Sequence, residues 1–416
     1  MTWLLCLALA QTPDRHSLAP EPAVVAAELL ARAADPDERS AVLEELTNHP
    51  ETFEVLLGTL GTSRAPDEEG TTLSGAQLEL ALSALERLGP SRLTAFVSSV
   101  AHESEIGPRS VAAVRILGAR ARAEDLPTLL GLARTAESSG RFAVLEVPWE
   151  EALTVVLARA PNAIARLRER WNTLGPATAS LAVQVLESHA GDEALASLRS
   201  LLGRSRELDA SLLLALGNRG ESAPPKLRAE LGAEVERYLS SAASAEVQAA
   251  AQALGRLRSP DTIPALIDVL EHPDATARRS ILTALRAIGG VNLPSSLPVW
   301  RSWYAKEDAW WEERAREVYV QLGTGLEQAD TGATFAALRE LSEHPLHRDD
   351  LAKRLSNLLG RPEPGPRVLI SECLARLGSR EGAAALKKAA ADPDPDVAAA
   401  ACAALEIGRA SCRERV

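Results

Sequence analysis

A chain of 416 residues with 57 acidic and 45 basic side chains carries a net charge of −12, which argues against nucleic acid as a partner, because that partner demands a basic footprint. Apolar residues make up 46% and aromatics only 3%, so Ala and Leu must carry the packing, as suits closely approaching helices. No apolar run reaches the roughly 18 residues that a transmembrane helix needs.

Residues 1–22 read as a signal-type segment and a Pro-rich linker. A short apolar core precedes Ala8-Leu9-Ala10, a cleavage-type site, although no Lys or Arg stands ahead of it. The expectation is export to the periplasm or the extracellular space, and a cytoplasmic location if the segment does not act as a signal. Ala23–Ala34 and Asp37–Thr47 form a first helix pair joined through Asp35-Pro36-Asp37, and Glu51–Leu60 forms the next helix. Gly61–Thr71 is a polar loop, and Gly75–Leu88 is a strong helix ending before Gly89-Pro90.

The clearest organisation lies between Glu246 and Gly290. Val247, Ala250, Leu254 and Leu257 share one helix face, and Ile263, Leu266, Ile267 and Leu270 make a second. Between them Arg258-Ser259-Pro260-Asp261 ends one helix and starts the next, with Asp261 placed to cap it. Ala253-Leu254 returns 31 residues on as Ala284-Leu285. Arg115–Ala133 overlays the 252–270 segment at a constant offset of 137, so that Gly118 meets Gly255 and Pro127 meets Pro264. Further anchors of the same type fall at Leu186, Leu216, Leu322 and Leu374. Ser222–Pro225 is an inter-helix loop, and prolines weaken the pattern around 343–365. A period in this range marks stacked helix pairs, each too small to bury both faces alone.

The spacing predicts an all-α fold, an α-solenoid of roughly ten or eleven antiparallel helix pairs over residues 23–405, the last one truncated. Residues 406–416, EIGRASCRERV, match a translated sequencing adapter and are expected to be a non-native tail. Within the repeats, the Ala-rich surroundings of Cys373 and Cys402 predict two small buried thiols.

The Ala-Leu-Gly segments with polar links, and the turns Asp35-Pro36-Asp37, His272-Pro273-Asp274 and Asp392-Pro393-Asp394, resemble bacterial HEAT repeats of the phycobilin-lyase type. The resemblance covers about three-quarters of the chain and implies a right-handed superhelix whose second helices line a concave surface. It says little about function, since such repeats serve scaffolds, adaptors, lyases and DNA glycosylases alike.

No nucleophile elbow, dinucleotide fingerprint, P-loop, zinc-protease or CxxC pattern occurs, so the expectation is a non-enzymatic chain without cofactor or metal. Asp392, Asp394 and Asp396 lack the Gly and distal Glu of a calcium loop and read as a capped turn. His344, His347, Asp349 and Asp350 offer metal-type donors, but Pro345 and the helix start set them apart. His49, His272 and His344 each precede a proline and share a turn role.

Arginines recur on second helices, at Arg115, Arg256, Arg278, Arg279, Arg314 and Arg316. The one compositional outlier is Trp300–Tyr319, which holds four tryptophans and two tyrosines. Aligned on the repeat, Trp300, Trp303 and Trp311 fall on core stripes, whereas Trp310 shares an exposed face with Arg314. The function expected is a protein–protein interaction scaffold with a definite surface: Trp310, Arg314, Arg278 and Arg279 on the concave face, meeting a protein partner of acidic character, with the chain monomeric. The alternative is an enzyme on the same repeats, lyase-like or glycosylase-like.

Overall fold

The computed structural model describes residues 21–62 and 75–413. Among these, the chain forms 23 α-helices and no strand, an all-α solenoid of helices packed on their neighbours. It divides into two compact units, Met1–Ser197 and Leu198–Val416. The signal-type segment, the loop from residue 63 to 71 and residues 414–416 lie outside the described residues.

The first unit contains α1 (Pro22–Arg32), α2 (Arg39–Thr47), α3 (Phe53–Thr62), α4 (Gly75–Leu88), α5 (Pro90–Ala101) and α6 (Pro108–Arg120). It continues with α7 (Leu126–Ser138), α8 (Phe142–Arg159), α9 (Ala163–Glu169), α10 (Pro176–Ser188) and α11 (Asp192–Leu201), which crosses the boundary. The second unit holds α12 (Arg206–Gly220), α13 (Pro225–Glu236), α14 (Ser244–Leu257), α15 (Ile263–Asp268), α16 (Ala275–Gly289) and α17 (Leu297–Glu313). Then come α18 (Ala315–Glu327), α19 (Thr331–Glu343), α20 (Arg348–Leu358), α21 (Pro364–Leu377), α22 (Arg380–Ala389) and α23 (Pro395–Arg413).

Local chemistry accounts for these boundaries. Prolines open α5, α6, α10, α13 and α21, where a missing N–H costs nothing. The prolines at 345 and 364 therefore begin elements and do not interrupt the repeat. Asp274 caps α16 by accepting from the N–H groups of Thr276 and Ala277, and Asp394 does the same for Asp396 and Val397 at α23. In the three turns singled out by sequence, one side chain accepts the N–H two residues on. Asp35 serves Asp37, His272 serves Asp274 through Nδ1, and Asp392 serves Asp394.

The offset of 137 is reproduced in backbone conformation. Ala121 and Arg258 both end their helices in the left-handed region, at φ 47° and 53°. Each is followed by a 3-10 turn, Ala123–Asp125 or Pro260–Thr262, and then by a helix with proline in its first turn. This corrects the expectation for Asp261, which lies inside the 3-10 turn and does not cap α15, whose N-cap residue is Thr262.

The core stripes agree with the periodicity: Val247, Ala250, Leu254 and Leu257 are fully buried, as are Ile263 and Leu266. The thiols divide. Cys373 is buried, with its Sγ 3.4 Å from the Leu338 carbonyl, but Cys402 is exposed. On α23 the buried stripe is Val397, Ala401 and Ala404, and a residue one step from Ala401 points about 100° away from it.

Candidate functional site

The aromatic segment lies on α17. Trp300 is fully buried and donates its indole N–H to the Pro294 carbonyl at 3.0 Å. Trp303 meets it edge-on, with ring centroids 5.5 Å apart, and covers Gly289, where a Cβ would come within 2.8 Å of the indole. These two rings fill the layer between α16 and α17.

The expected division between an exposed Trp310 and a buried Trp311 requires correction. The helix that holds Trp300 runs on to Glu313, with Arg314 as the joint before α18. Both indoles therefore sit on the last turns of α17, and both are half-buried against the core of α18, α19 and α21. The stripe assigned to Trp311 holds only from Ala315 through Val318 and Leu322.

Partners from far along the chain then complete a cluster. The Trp310 ring stacks on His344, with centroids 3.8 Å apart and planes within 8°. His344 Nδ1 lies 3.1 Å from Glu307 Oε1, and Glu307 is only 5% exposed. The Trp310 indole N–H and the Arg314 Nε–H both donate to Glu340 Oε1, at 3.3 and 2.9 Å. Arg314 is also paired with Glu317. Burial pushes the Glu307 carboxyl above its ordinary pKa, opposed mainly by His344. The Arg314 guanidinium holds Glu340 below the usual carboxylate range. The cluster ties α17, the start of α18 and the end of α19 together, and its donors are already engaged.

The remaining candidates are scattered. Arg278 folds back on its own turn, half-buried, donating to the carbonyls of His272 and Pro273 at 2.6 and 2.7 Å. Arg279 is exposed on α16, near the Thr276 hydroxyl. Of the four histidine and aspartate donors, His344 pairs with Glu307, His347 lies edge-on to Trp311, and Asp349 holds Arg228 and Ser379. Among the described residues no group of three or more His, Cys, Asp or Glu is placed to hold a metal.

Sequence reasoning missed a groove in the first unit. It is walled by α4, α6 and α8 and encloses about 640 Å³. It opens because α6 packs chiefly on α3 and α8 and only grazes α4. Leu78 and Leu82 on α4, Ile116 and Ala119 on α6, and Pro148 and Val155 on α8 give it apolar walls. Arg115, Arg120, Arg122 and Arg159 line it with Glu79, Glu86 and Glu151, so basic groups outnumber acidic ones in a chain of the opposite balance. Arg120 is paired with Glu86, and burial lowers the Arg115 pKa, opposed by Glu151. Val144 and Val147, 48% and 51% exposed, continue the α8 wall by one turn. Pro148, inside α8, has no N–H to give the Val144 carbonyl. Of all these residues the sequence had drawn attention only to Arg115; the pairs Leu78-Leu82 and Glu151-Val155, at helical spacing off the buried stripes, were the available signal.

Residues 235–319, from the end of α13 into α18, match a family model described as HEAT repeats. This segment carries HEAT repeats. The same close helix contacts occur outside the matched HEAT segment, as between α6 and α8. HEAT repeats are generally protein-interaction scaffolds. The crystal structure of an engineered protein is similar over 88% of this chain and 98% of its own, at 16% identity and a TM-score of 0.32. No curated protein matches the chain. Among the described residues no helix is long and apolar enough to cross a membrane.

Proposed function

We propose that this chain is a non-enzymatic protein-interaction scaffold, its repeat array spanning residues 23–405, and that the groove of α4, α6 and α8 receives a segment of a partner protein. The observation that carries this reading is the groove itself, an open apolar channel between helices that elsewhere pack tightly, rimmed by arginines in an acidic protein. Stacked helical repeats offer extended surfaces of this kind to other proteins. The segment that fits is amphipathic, with apolar residues on Leu78, Leu82 and Val155 and carboxylates toward Arg122 and Arg159. In this reading Trp310 and Arg314 brace the second unit through Glu340, Arg278 closes its turn, and Arg279 remains an exposed cation available to an acidic partner.

Photo-crosslinking tests the proposal. A benzophenone side chain at Ala119 or Val155 is expected to capture a defined partner, whereas the same group at Ser98, exposed on α5, captures none. The partner is then purified, and Leu82→Asp should weaken its binding at least tenfold. Equal capture from Ser98, or binding unchanged by Leu82→Asp, overturns the reading.

A further inference from the structure

The second unit holds a separate cavity of about 620 Å³ where the end of α17 meets α18 and the start of α20. Three rings line it: Trp311, His347 and Tyr319. Three carboxylates, Asp308, Glu312 and Asp350, line it as well. All three are exposed, and among the described residues none of them makes an ion pair. Two arginines share the cavity. Arg354 is drawn over the Tyr319 ring, 5.0 Å from its centroid, and Arg316 is exposed. Ala315 and Val320 supply an aliphatic wall, and Val320, 62% exposed, is barer than Val24, Val144, Val147, Val299 and Phe335.

Such a site is suited to a side chain with an aliphatic stem and a cationic head. The stem needs an apolar rail, which Ala315 and Val320 provide. The head needs unpaired carboxylates, and gains further from a ring face. Arg354 on Tyr319 shows that the site already accommodates a guanidinium over an aromatic ring. The carboxylates outnumber the arginines in the lining, so the added charge meets a deficit.

We infer that this cavity binds an arginine or lysine side chain presented by a partner protein, with the stem along Val320 and the head between Asp308, Glu312 and Asp350 beside Trp311. The inference goes beyond the groove reading and stands on different residues in the other unit.

The test uses the full chain and blocked tripeptides Gly-Arg-Gly and Gly-Lys-Gly, followed by the Trp311 indole N–H resonance in ¹H–¹⁵N spectra. The resonance is assigned by its loss in Trp311→Phe. A saturable shift is expected with both cationic peptides and none with Gly-citrulline-Gly, which keeps the shape without the charge. Asp308→Asn/Asp350→Asn should weaken binding at least tenfold. Glu44→Gln/Glu54→Gln, which changes the net charge equally in the first unit, should leave it unchanged. Glu312→Gln provides a milder second variant, expected to weaken binding by a few fold, with thermal unfolding used to confirm that each variant remains folded. A shift with the citrulline peptide, or equal weakening by the first-unit variant, overturns the inference. So does competition by magnesium ions equal to that by the arginine peptide, which would mark a response to bulk cations only.

Discussion

Gly255 lies against Ala284: a Cβ built on the glycine would stand 3.1 Å from the Ala284 Cα. The relationship repeats along the repeats. Gly217 meets the Cα of Ala253 at 2.6 Å, and Gly118 meets that of Ala152 at 2.7 Å. The glycine of each Leu-Gly step, at 118, 217 and 255, thus receives the alanine of the next second helix. Any side chain there would push two backbones apart, and the short repeat leaves little freedom to absorb the shift.

Alanine substitutions should separate the two kinds of helical glycine. At Gly217 the new methyl meets backbone, so Gly217→Ala is expected to cost about 1–3 kcal/mol as overpacking. Gly131, inside α7, has nothing within 4 Å of its would-be Cβ, and Gly131→Ala should stabilise by about 0.8–1 kcal/mol through helix propensity. Urea midpoints decide the matter, and a stabilised Gly217→Ala would contradict the proposed packing.

The tryptophans of α17 should rank by burial. Trp300 is fully enclosed, and Trp300→Ala is expected to cost about 3–5 kcal/mol. Trp310→Ala, which loses a half-buried ring, the His344 stack and a bond to Glu340, should cost roughly half as much. Chemical denaturation of the two variants provides the comparison, and a neutral Trp310→Ala would count against the cluster.

Acidification and alkalinisation should act through different groups. Burial lowers the His347 pKa from its ordinary 6.5, opposed by Asp350, Asp261 and Asp308, so the unfolded chain binds the proton more readily. Its contribution is complete above 6.5 and declines as pH falls through the lower folded value. Burial raises Glu307 above its ordinary 4.5, so its contribution is complete below that value and declines as pH rises through the higher folded one. In stability profiles from pH 4 to 8, His347→Phe should flatten the acid-side loss and Glu307→Gln the opposite one. Profiles parallel to that of the unmodified protein would refute both assignments.

Thiol labelling should distinguish the two cysteines of the repeats. Burial pushes the Cys373 thiol up to about 12, which leaves almost no thiolate near neutrality. Cys402 is exposed. Brief iodoacetamide treatment at pH 8 followed by peptide mapping should modify Cys402 and spare Cys373 until denaturant is added. Rapid modification of native Cys373 would show that its site opens.

Much of the fold was legible because its determinants are local. The match between 115–133 and 252–270 extended to left-handed caps at Ala121 and Arg258, since both follow from short sequences that break a helix the same way. The stripes at Val247 to Leu257 and Ile263 to Leu270 were legible because a 3.6-residue period needs no knowledge of what covers it. Cys402 was misread because an Ala-rich helix offers little contrast between its faces.

The sites depended on distance in the chain. Trp310 could be assigned only with His344 and Glu340 in place, 34 and 30 residues further on, and with α17 running unbroken to Glu313. The groove exists because α4 fails to close on α6, and the acidic cavity because α20 returns Asp350 and His347 to the end of α17. Sequence alone determined that these helices form and, where apolar and polar faces contrast, which stripe is buried, because hydrogen bonding and side-chain period are properties of neighbouring residues. Tertiary structure decided which outer faces meet, stay apart or enclose space, because those outcomes depend on the angle at which each helix leaves its turn, and small differences there move side chains by ångströms.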